Sequence, residues 1–305
     1  SSTAIIGFDV ESFCEEEQDK VKARLIPIAF SALGTDYTVG LTRAMELFFK
    51  TYVEACLQKP RSYNILGCCA DEYLIENDIK EIQRTLSEMF DYHCRMSYPL
   101  NTSLREIRFA AEAEFNIVLR QEALPAAIWM KERFNIPYVF SDCYGIQEMK
   151  KLLKEVSEVI RVSPRCAQLD SVNALSAHDK EKHVLILGNQ NSANGLLRCL
   201  TEELEMHNVY AMAFSTTTHN KSIQPYKEEI LEKQMRDTGP DILIGNSILF
   251  DFPGHAPSID IPLLKPVGIA MKTPRPHYPL RGISGYNQLT LMLEGWGKGN
   301  VLFGE

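Results

Sequence analysis

The sequence predicts an α/β protein with two Rossmann-like parallel-sheet domains that face a shared cleft. Apolar, β-branched segments alternate with amphipathic segments along nearly the whole chain. The apolar segments are hydrophobic almost without interruption, as expected for strands that are covered on both faces. A polar stretch also divides the chain near its middle. Strands that are separated by helices imply parallel crossover connections, so we expect doubly wound sheets.

The elements follow from the period of the apolar residues. Leu41, Met45, Phe48 and Tyr52 recur at three-to-four spacing and predict a helix with one buried stripe. The predicted strands span residues 63–67, 115–119, 138–141, 183–188, 209–214, 241–245 and 267–271. The predicted helices span residues 38–57, 78–90, 124–134, 147–160, 192–206, 226–236 and 286–293.

The domain boundary is predicted in the polar stretch at 162–182, which contains a proline and no sustained apolar period. It separates a first domain at 1–161 from a second domain at 182–290. Residues 291–305 are rich in glycine and are expected to form a C-terminal arm. Because the chain opens abruptly on SSTAIIGFDVESF, we expect it to be the inner part of a larger fold whose N-terminal domain is absent.

Composition excludes several functional classes. The net charge of −8 argues against a general nucleic-acid or anionic-membrane partner, since either needs a basic surface. No apolar run reaches the roughly 20 residues that span a bilayer, and no signal peptide opens the sequence. The eight cysteines include no CxxC pair, which favours reduced thiols and a cytoplasmic protein.

The segment VLILGNQNSANGLL has the strand–turn–helix form of a dinucleotide site but lacks its glycines. Gln190 and Ala193 occupy the second and third glycine positions, so the backbone cannot approach a pyrophosphate closely. We therefore expect no NAD. Ser192 is still a good N-cap, and the start of this helix can hold another anion.

Polar residues follow several predicted strands, where open parallel sheets bind ligands. Arg120, Lys272, Arg275 and Arg281 predict an anion site, because guanidinium groups suit carboxylates; the alternative is a set of unrelated surface charges. The turn after residue 188 adds polar side chains, and the cysteines after the strands are either metal ligands or small residues in tight turns. These further residues are Asn189, Gln190, Asn191, Cys68, Cys69 and Cys143.

Several stretches, taken in order, resemble the nitrogenase component 1 family. They are IIGFDVES, PIAFSALGTDYTVGL, NILGCCADEYLIENDIKEIQRTL, FNIVLRQEALPAAIWMKERFNIPY, GPDILIG and PLRGISGYNQL. The family includes the nitrogenase subunits, their cofactor-assembly scaffold and the reductases of tetrapyrrole biosynthesis. The resemblance implies a homologous partner subunit, in a dimer or tetramer, and an iron–sulfur ATPase that donates electrons. Residues 286–293 and the first helix are expected to contribute to the subunit interface.

The departures from the family pattern concern its metal ligands. Arg120 stands where cofactor-bearing members have a cluster-ligating cysteine, and Arg275 stands near their cofactor histidine. Ser1 replaces a cysteine of the electron-relay cluster, and Thr35 replaces a histidine of the catalytic pocket. The resemblance therefore implies a pocket in which cations replace the metal ligands. An iron–sulfur cluster would be shared with a partner or with the absent domain.

These observations predict a subunit of a nitrogenase-like reductase system that binds an anionic substrate or a metallocofactor in an interdomain cleft. The four basic residues would hold the anion, while Ser31, Thr35 and Asp36 would line the wall. Tetrapyrroles carry several carboxylates and would suit such a cleft. The alternatives are a non-catalytic scaffold for metallocluster assembly and a small-anion binding module without a redox role.

Overall fold

The computed structural model describes residues 8–28, 36–73, 75–165, 175–214, 220–245, 259–262 and 278–294. Within these residues no helix combines the length and the apolar composition needed to cross a bilayer. The predicted strand at 267–271 lies outside the described residues. So does the part of the predicted arm at 291–305 that follows residue 294.

The first half of the chain contains a parallel sheet in the order β2-β1-β3-β4. Every residue of the central strands β1 and β3 is buried, which explains their continuous hydrophobicity. The strands are β1 (Ser62–Cys68), β2 (His93–Pro99), β3 (Phe115–Val118) and β4 (Tyr138–Phe140). The helices are α1 (Val10–Gln18), α2 (Tyr37–Tyr52), α3 (Ile75–Phe90), α4 (Leu104–Arg108), α5 (Leu124–Phe134) and α6 (Ile146–Ile160).

The second half contains a parallel sheet in the order β7-β6-β5-β8-β9. Its strands are β5 (His183–Gly188), β6 (Asn208–Ala213), β7 (Ile223–Pro225), β8 (Ile242–Gly245) and β9 (Ile259–Pro262). Its helices are α7 (Ala177–Lys180), α8 (Gln190–Arg198), α9 (Glu228–Thr238) and α10 (Gly282–Leu293). A π-helical turn, Cys199–Glu203, continues α8.

The predicted class, α/β with parallel sheets, is confirmed. Six of the seven predicted strands correspond to β1, β3, β4, β5, β6 and β8, while the edge strands β2, β7 and β9 were not predicted. In β2 the buried Met96 and Tyr98 alternate with the partly buried polar residues Arg95 and Ser97, and β7 and β9 have only three and four residues. An edge strand needs no continuous apolar run, because it has one neighbour only.

Helix α10 packs inside the chain. Tyr286, Leu289 and Leu293 belong to the core of the second sheet, and the helix also contacts α3 and α6. The prediction that this helix contributes to a subunit interface is wrong for these side chains, because the chain itself buries them. Phe48 lies on α2, which corresponds to the first predicted helix at 38–57, and is 37% exposed. A subunit interface that uses this helix therefore stays a prediction.

Candidate functional site

The strand order places one crossover reversal in each sheet. The chain leaves β1 toward β2 on one side, and β3 then joins β1 on the other side. In the second sheet, β6 and β8 flank β5 in the same way. Ligands of open parallel sheets bind beyond the carboxyl ends of the strands at such a reversal. A ligand site is therefore expected in the loops that follow β1, β3 and β5.

Polar side chains from these loops and from the start of α10 meet in one buried group, which we call the interdomain network. Apart from Asp71, each member is less than a tenth exposed. The members are Asp71, Glu72, Asp78, Arg120, Glu122, Asn189, Asn191, Ser192 and Arg281.

Arg120 follows β3 and is fully buried. Its Nη1 donates to both carboxylate oxygens of Asp71, at 2.7 and 3.0 Å. Its Nε and Nη2 each donate to Glu122 at 3.3 Å. Burial alone would lower the pKa of Arg120, but Glu72 and the other carboxylates raise it, so the guanidinium stays charged. The predicted cation is thus present in the site, already paired with carboxylates of this chain.

Arg281 precedes α10 and is also fully buried. Its Nη1 donates to Glu72 at 2.6 Å and to Asp78 at 2.7 Å, and its Nε donates to the carbonyl of Asp142 at 2.9 Å. The guanidinium carbon lies 4.6 Å from the centre of the Tyr144 ring, a cation–π distance. Within the described part of the chain, its buried Nη2 has no hydrogen-bond partner.

Glu72 connects the two arginines with the second domain. One of its oxygens accepts from Arg281, and the other accepts from Asn189 at 2.7 Å and from Ser192 at 3.2 Å. That second oxygen also lies 3.8 Å from Nη1 of Arg120. Burial alone would raise the pKa of Glu72, but the two guanidinium groups and the hydrogen bonds hold it below its usual value. Glu72 is therefore ionised at neutral pH although it is buried.

Asn191 and Arg198 of α8 bond to loops that follow strands of the first sheet. The side chain of Asn191 accepts from the Gln121 backbone N–H at 3.1 Å and donates to Glu122 at 3.0 Å. Arg198 donates to both carboxylate oxygens of Asp142, at 2.8 and 3.1 Å. The carboxyl ends of both sheets are thus closed against each other by paired polar groups.

Glu203, in the π-helical turn, reaches across to the start of α6. Its carboxylate accepts from the backbone N–H groups of Ile146, at 2.8 Å, and of Gln147, at 3.2 Å. Gly145 permits this contact, because its φ is +87° and a Cβ added there would clash with the carboxylate. The N-terminus of α6, beside the first sheet, is therefore capped by a side chain that follows α8 beside the second sheet.

The three predicted metal ligands, Cys68, Cys69 and Cys143, are buried thiols. Burial raises the pKa of Cys68 well above its usual value and the pKa of Cys69 and of Cys143 to about 12. The carboxylates that act on the thiol of Cys69, which are Asp71, Glu72 and Glu122, are held by arginines. Within the described ranges no group of three histidine, cysteine or acidic side chains fits a metal ion. The donors described here therefore do not fit a resident iron–sulfur cluster.

The remaining predicted site residues divide into two groups. Asp36 caps α2 by accepting from the Thr38 backbone N–H at 2.9 Å, and the adjacent Tyr37 lies within the electrostatic influence of Arg120. Gln190 lies in the first turn of α8, between two members of the network. Ser1, Ser31, Thr35, Lys272 and Arg275 lie outside the described residues.

Sequence reasoning missed the carboxylates that hold the arginines. Asp71 and Glu72 follow β1, Glu122 follows Arg120, and Asp78 lies in the first turn of α3. The signal was the arrangement of opposite charges after neighbouring strands, because the carboxyl ends of parallel strands share one edge of a sheet. The predicted anion site rested on basic residues alone, so it did not include their acidic partners.

Comparison with known proteins gives the family. The family model described as nitrogenase component 1 type oxidoreductase matches residues 1–288. One subunit of light-independent protochlorophyllide reductase from Nostoc punctiforme is 19% identical over 95% of this chain and 64% of its own length. The equivalent subunit from Methylocella silvestris is 26% identical over 59% of this chain and 38% of its own length. The iron-molybdenum cofactor biosynthesis protein NifE from a Nostoc species is 25% identical over 51% of this chain and 32% of its own length.

A solved structure supports the fold. The structure titled nitrogenase Cp1 at pH 6.5 has a TM-score of 0.67 and 12% identity over 96% of this chain and 72% of that chain. This chain spans between about a third and two thirds of the length of the relatives named above. The family match, in contrast, covers nearly the whole chain. The chain therefore belongs to the nitrogenase component 1 type oxidoreductase family.

Proposed function

We propose that this chain is a subunit of a nitrogenase-like reductase system that binds an anionic substrate or a metallocofactor beside the interdomain network. Family membership supports the reductase part, and two of the relatives are named as subunits of a protochlorophyllide reductase. In the proposed system a homologous subunit pairs with this chain in the cytoplasm. A separate iron–sulfur ATPase supplies the electrons.

The buried Nη2 of Arg281 carries the ligand part of the proposal. A charged donor without a partner is costly, so a ligand oxygen that reached it would be bound strongly. Four carboxylates already face the two guanidinium groups of the network. An anionic ligand therefore needs further positive charge, and the sequence offers Lys272 and Arg275 in the segment before Arg281.

Protochlorophyllide is the probe that tests this proposal. Oxygen-free titration of the full chain should shift the absorbance of the pigment and saturate. Replacing both Lys272 and Arg275 with alanine should weaken binding by roughly tenfold or more, because each removes a charge-assisted contact. The matched control is Lys233→Ala on the exposed side of α9. Equal affinity of the three proteins, or no saturable binding, would contradict the proposed ligand site.

A scaffold for metallocluster assembly is the second candidate. The similarity to NifE favours it. Here the cluster precursor is cargo and the chain reduces nothing. Adding a reducing iron–sulfur ATPase and ATP separates the two candidates: the reductase turns the bound pigment over, whereas the scaffold binds iron and sulfide without turnover.

A further inference from the structure

Among the described residues, each hydrogen-bond partner of the Glu72 carboxylate is a donor. The donors are Nη1 of Arg281, Nδ2 of Asn189 and the hydroxyl of Ser192, while Arg120 approaches to 3.8 Å. A group that accepts at both of its oxygens fits this surrounding. A carboxamide does not, because in either orientation its NH₂ faces one of the donors.

Glu72 also lies where the two domains meet. One oxygen holds the start of α10 through Arg281, and the other holds the first turn of α8 through Asn189 and Ser192. The loop that supplies Glu72 follows β1 of the first sheet. Three separate segments of the chain therefore converge on this one carboxylate.

We infer that Glu72 is the positioning residue of the site: its two accepting oxygens set the place of Arg281 relative to α8. Its size alone is not sufficient, because glutamine has the same shape and the wrong hydrogen-bonding pattern. The consequence for ligand binding rests on the proposed function. The positioning itself does not, since it concerns contacts within this chain.

Three backbone amides report on the network. The N–H of Gln121 donates to the side chain of Asn191, that of Ser192 to Asn189, and that of Arg281 to Asp78. Each of these amides exchanges with solvent when its side-chain acceptor moves away. Hydrogen exchange resolved to single amides therefore reads the network without any ligand.

Glu72→Gln is expected to accelerate exchange at these three amides by roughly tenfold to hundredfold, the range for a lost hydrogen bond to a charged group. Asn189→Asp alone should act similarly, because it places a second carboxylate against Glu72. The double variant, Glu72→Gln with Asn189→Asp, reverses donor and acceptor across the contact and keeps the net charge of the wild type. Aspartate also remains a good N-cap for α8.

The pattern of the variants decides the inference. Both single variants should exchange faster, the double variant should return to within about threefold of the wild type, and the exposed control Glu76→Gln should change nothing. Wild-type exchange in either single variant, or a double variant as fast as Glu72→Gln, would overturn the inference. Should Glu72→Gln not fold, Asn189→Asp and the double variant still test it.

Titration with protochlorophyllide distinguishes the proposed ligand binding from the positioning role of Glu72. If the wild type binds protochlorophyllide, Glu72→Gln should weaken binding and the double variant should restore it. If the wild type does not bind while the exchange pattern is as expected, the proposed function fails and the positioning role of Glu72 stands.

Discussion

Replacing Arg281 with methionine is expected to lower the free energy of unfolding by about 3–5 kcal/mol. The substitution keeps much of the apolar volume but leaves the carboxylates of Glu72 and Asp78 buried without their closest cation. Equilibrium urea denaturation, followed by circular dichroism, measures the change.

The effect should depend on pH in a defined direction. Burial, together with repulsion from Glu72, already raises the pKa of Asp78 in spite of Arg281, and removing the guanidinium raises it further. The same removal raises the pKa of Glu72, which Arg281 helps to hold below its usual value. The unpaired carboxylates then take up protons as the pH falls. The deficit of the variant should therefore be largest at pH 8 and smaller at pH 5.5.

The matched control for this experiment is Arg236→Met on α9. Its guanidinium is 71% exposed and lies 3.7 Å from Glu232 within the same helix. Removing such a surface pair should change stability by at most about 0.5 kcal/mol. An equally small loss for Arg281→Met would mean that the buried contacts of Arg281 do not form.

Replacing Arg120 with methionine is the second large prediction, with an expected loss of about 3 kcal/mol. The substitution leaves Glu122 and Glu72 buried without this cation, while the partly exposed Asp71 can recover contact with water. Arg120→Lys should fall in between. It keeps the charge, but one ammonium group cannot reproduce the fork that reaches Asp71 and Glu122 together.

Denaturation of these variants is compared with that of Arg133→Met, an exposed arginine in the last turn of α5. The ordering expected is wild type, then Arg120→Lys, then Arg120→Met, with the control close to the wild type. If lysine were as good as arginine, the bidentate geometry at this position would not matter.

Much of the fold could be predicted because its central strands are covered on both faces. Burial selects continuous apolar runs, so HVLILG at β5 and FNIV at β3 are visible in the sequence. Helix ends were harder to place. The helix predicted at 192–206 ends as α8 at Arg198 and continues as a π-helical turn, from which Glu203 caps α6. Glu203 and Ile146 are 57 residues apart in the chain, so this contact leaves no local signal.

The site could be predicted only by its location. Arg120, Arg281, Asn189 and Asn191 were predicted from their places in loops after predicted strands, and all four lie in the interdomain network. Their partners depend on which loops the tertiary fold brings together. Asp78 and Arg281 are separated by 203 residues, so no pattern within one segment pairs them. The predicted role of the arginines toward a ligand stays a prediction.

A double-mutant cycle between Glu72 and Arg281 tests most directly whether a buried carboxylate–guanidinium network organises this site. It uses the free energies of unfolding of the wild type, Glu72→Gln, Arg281→Met and the double variant. Because the two side chains are buried 2.6 Å apart, we predict a coupling of about 2 kcal/mol or more. A coupling below about 0.5 kcal/mol, which is ordinary for residues that do not touch, would contradict the account.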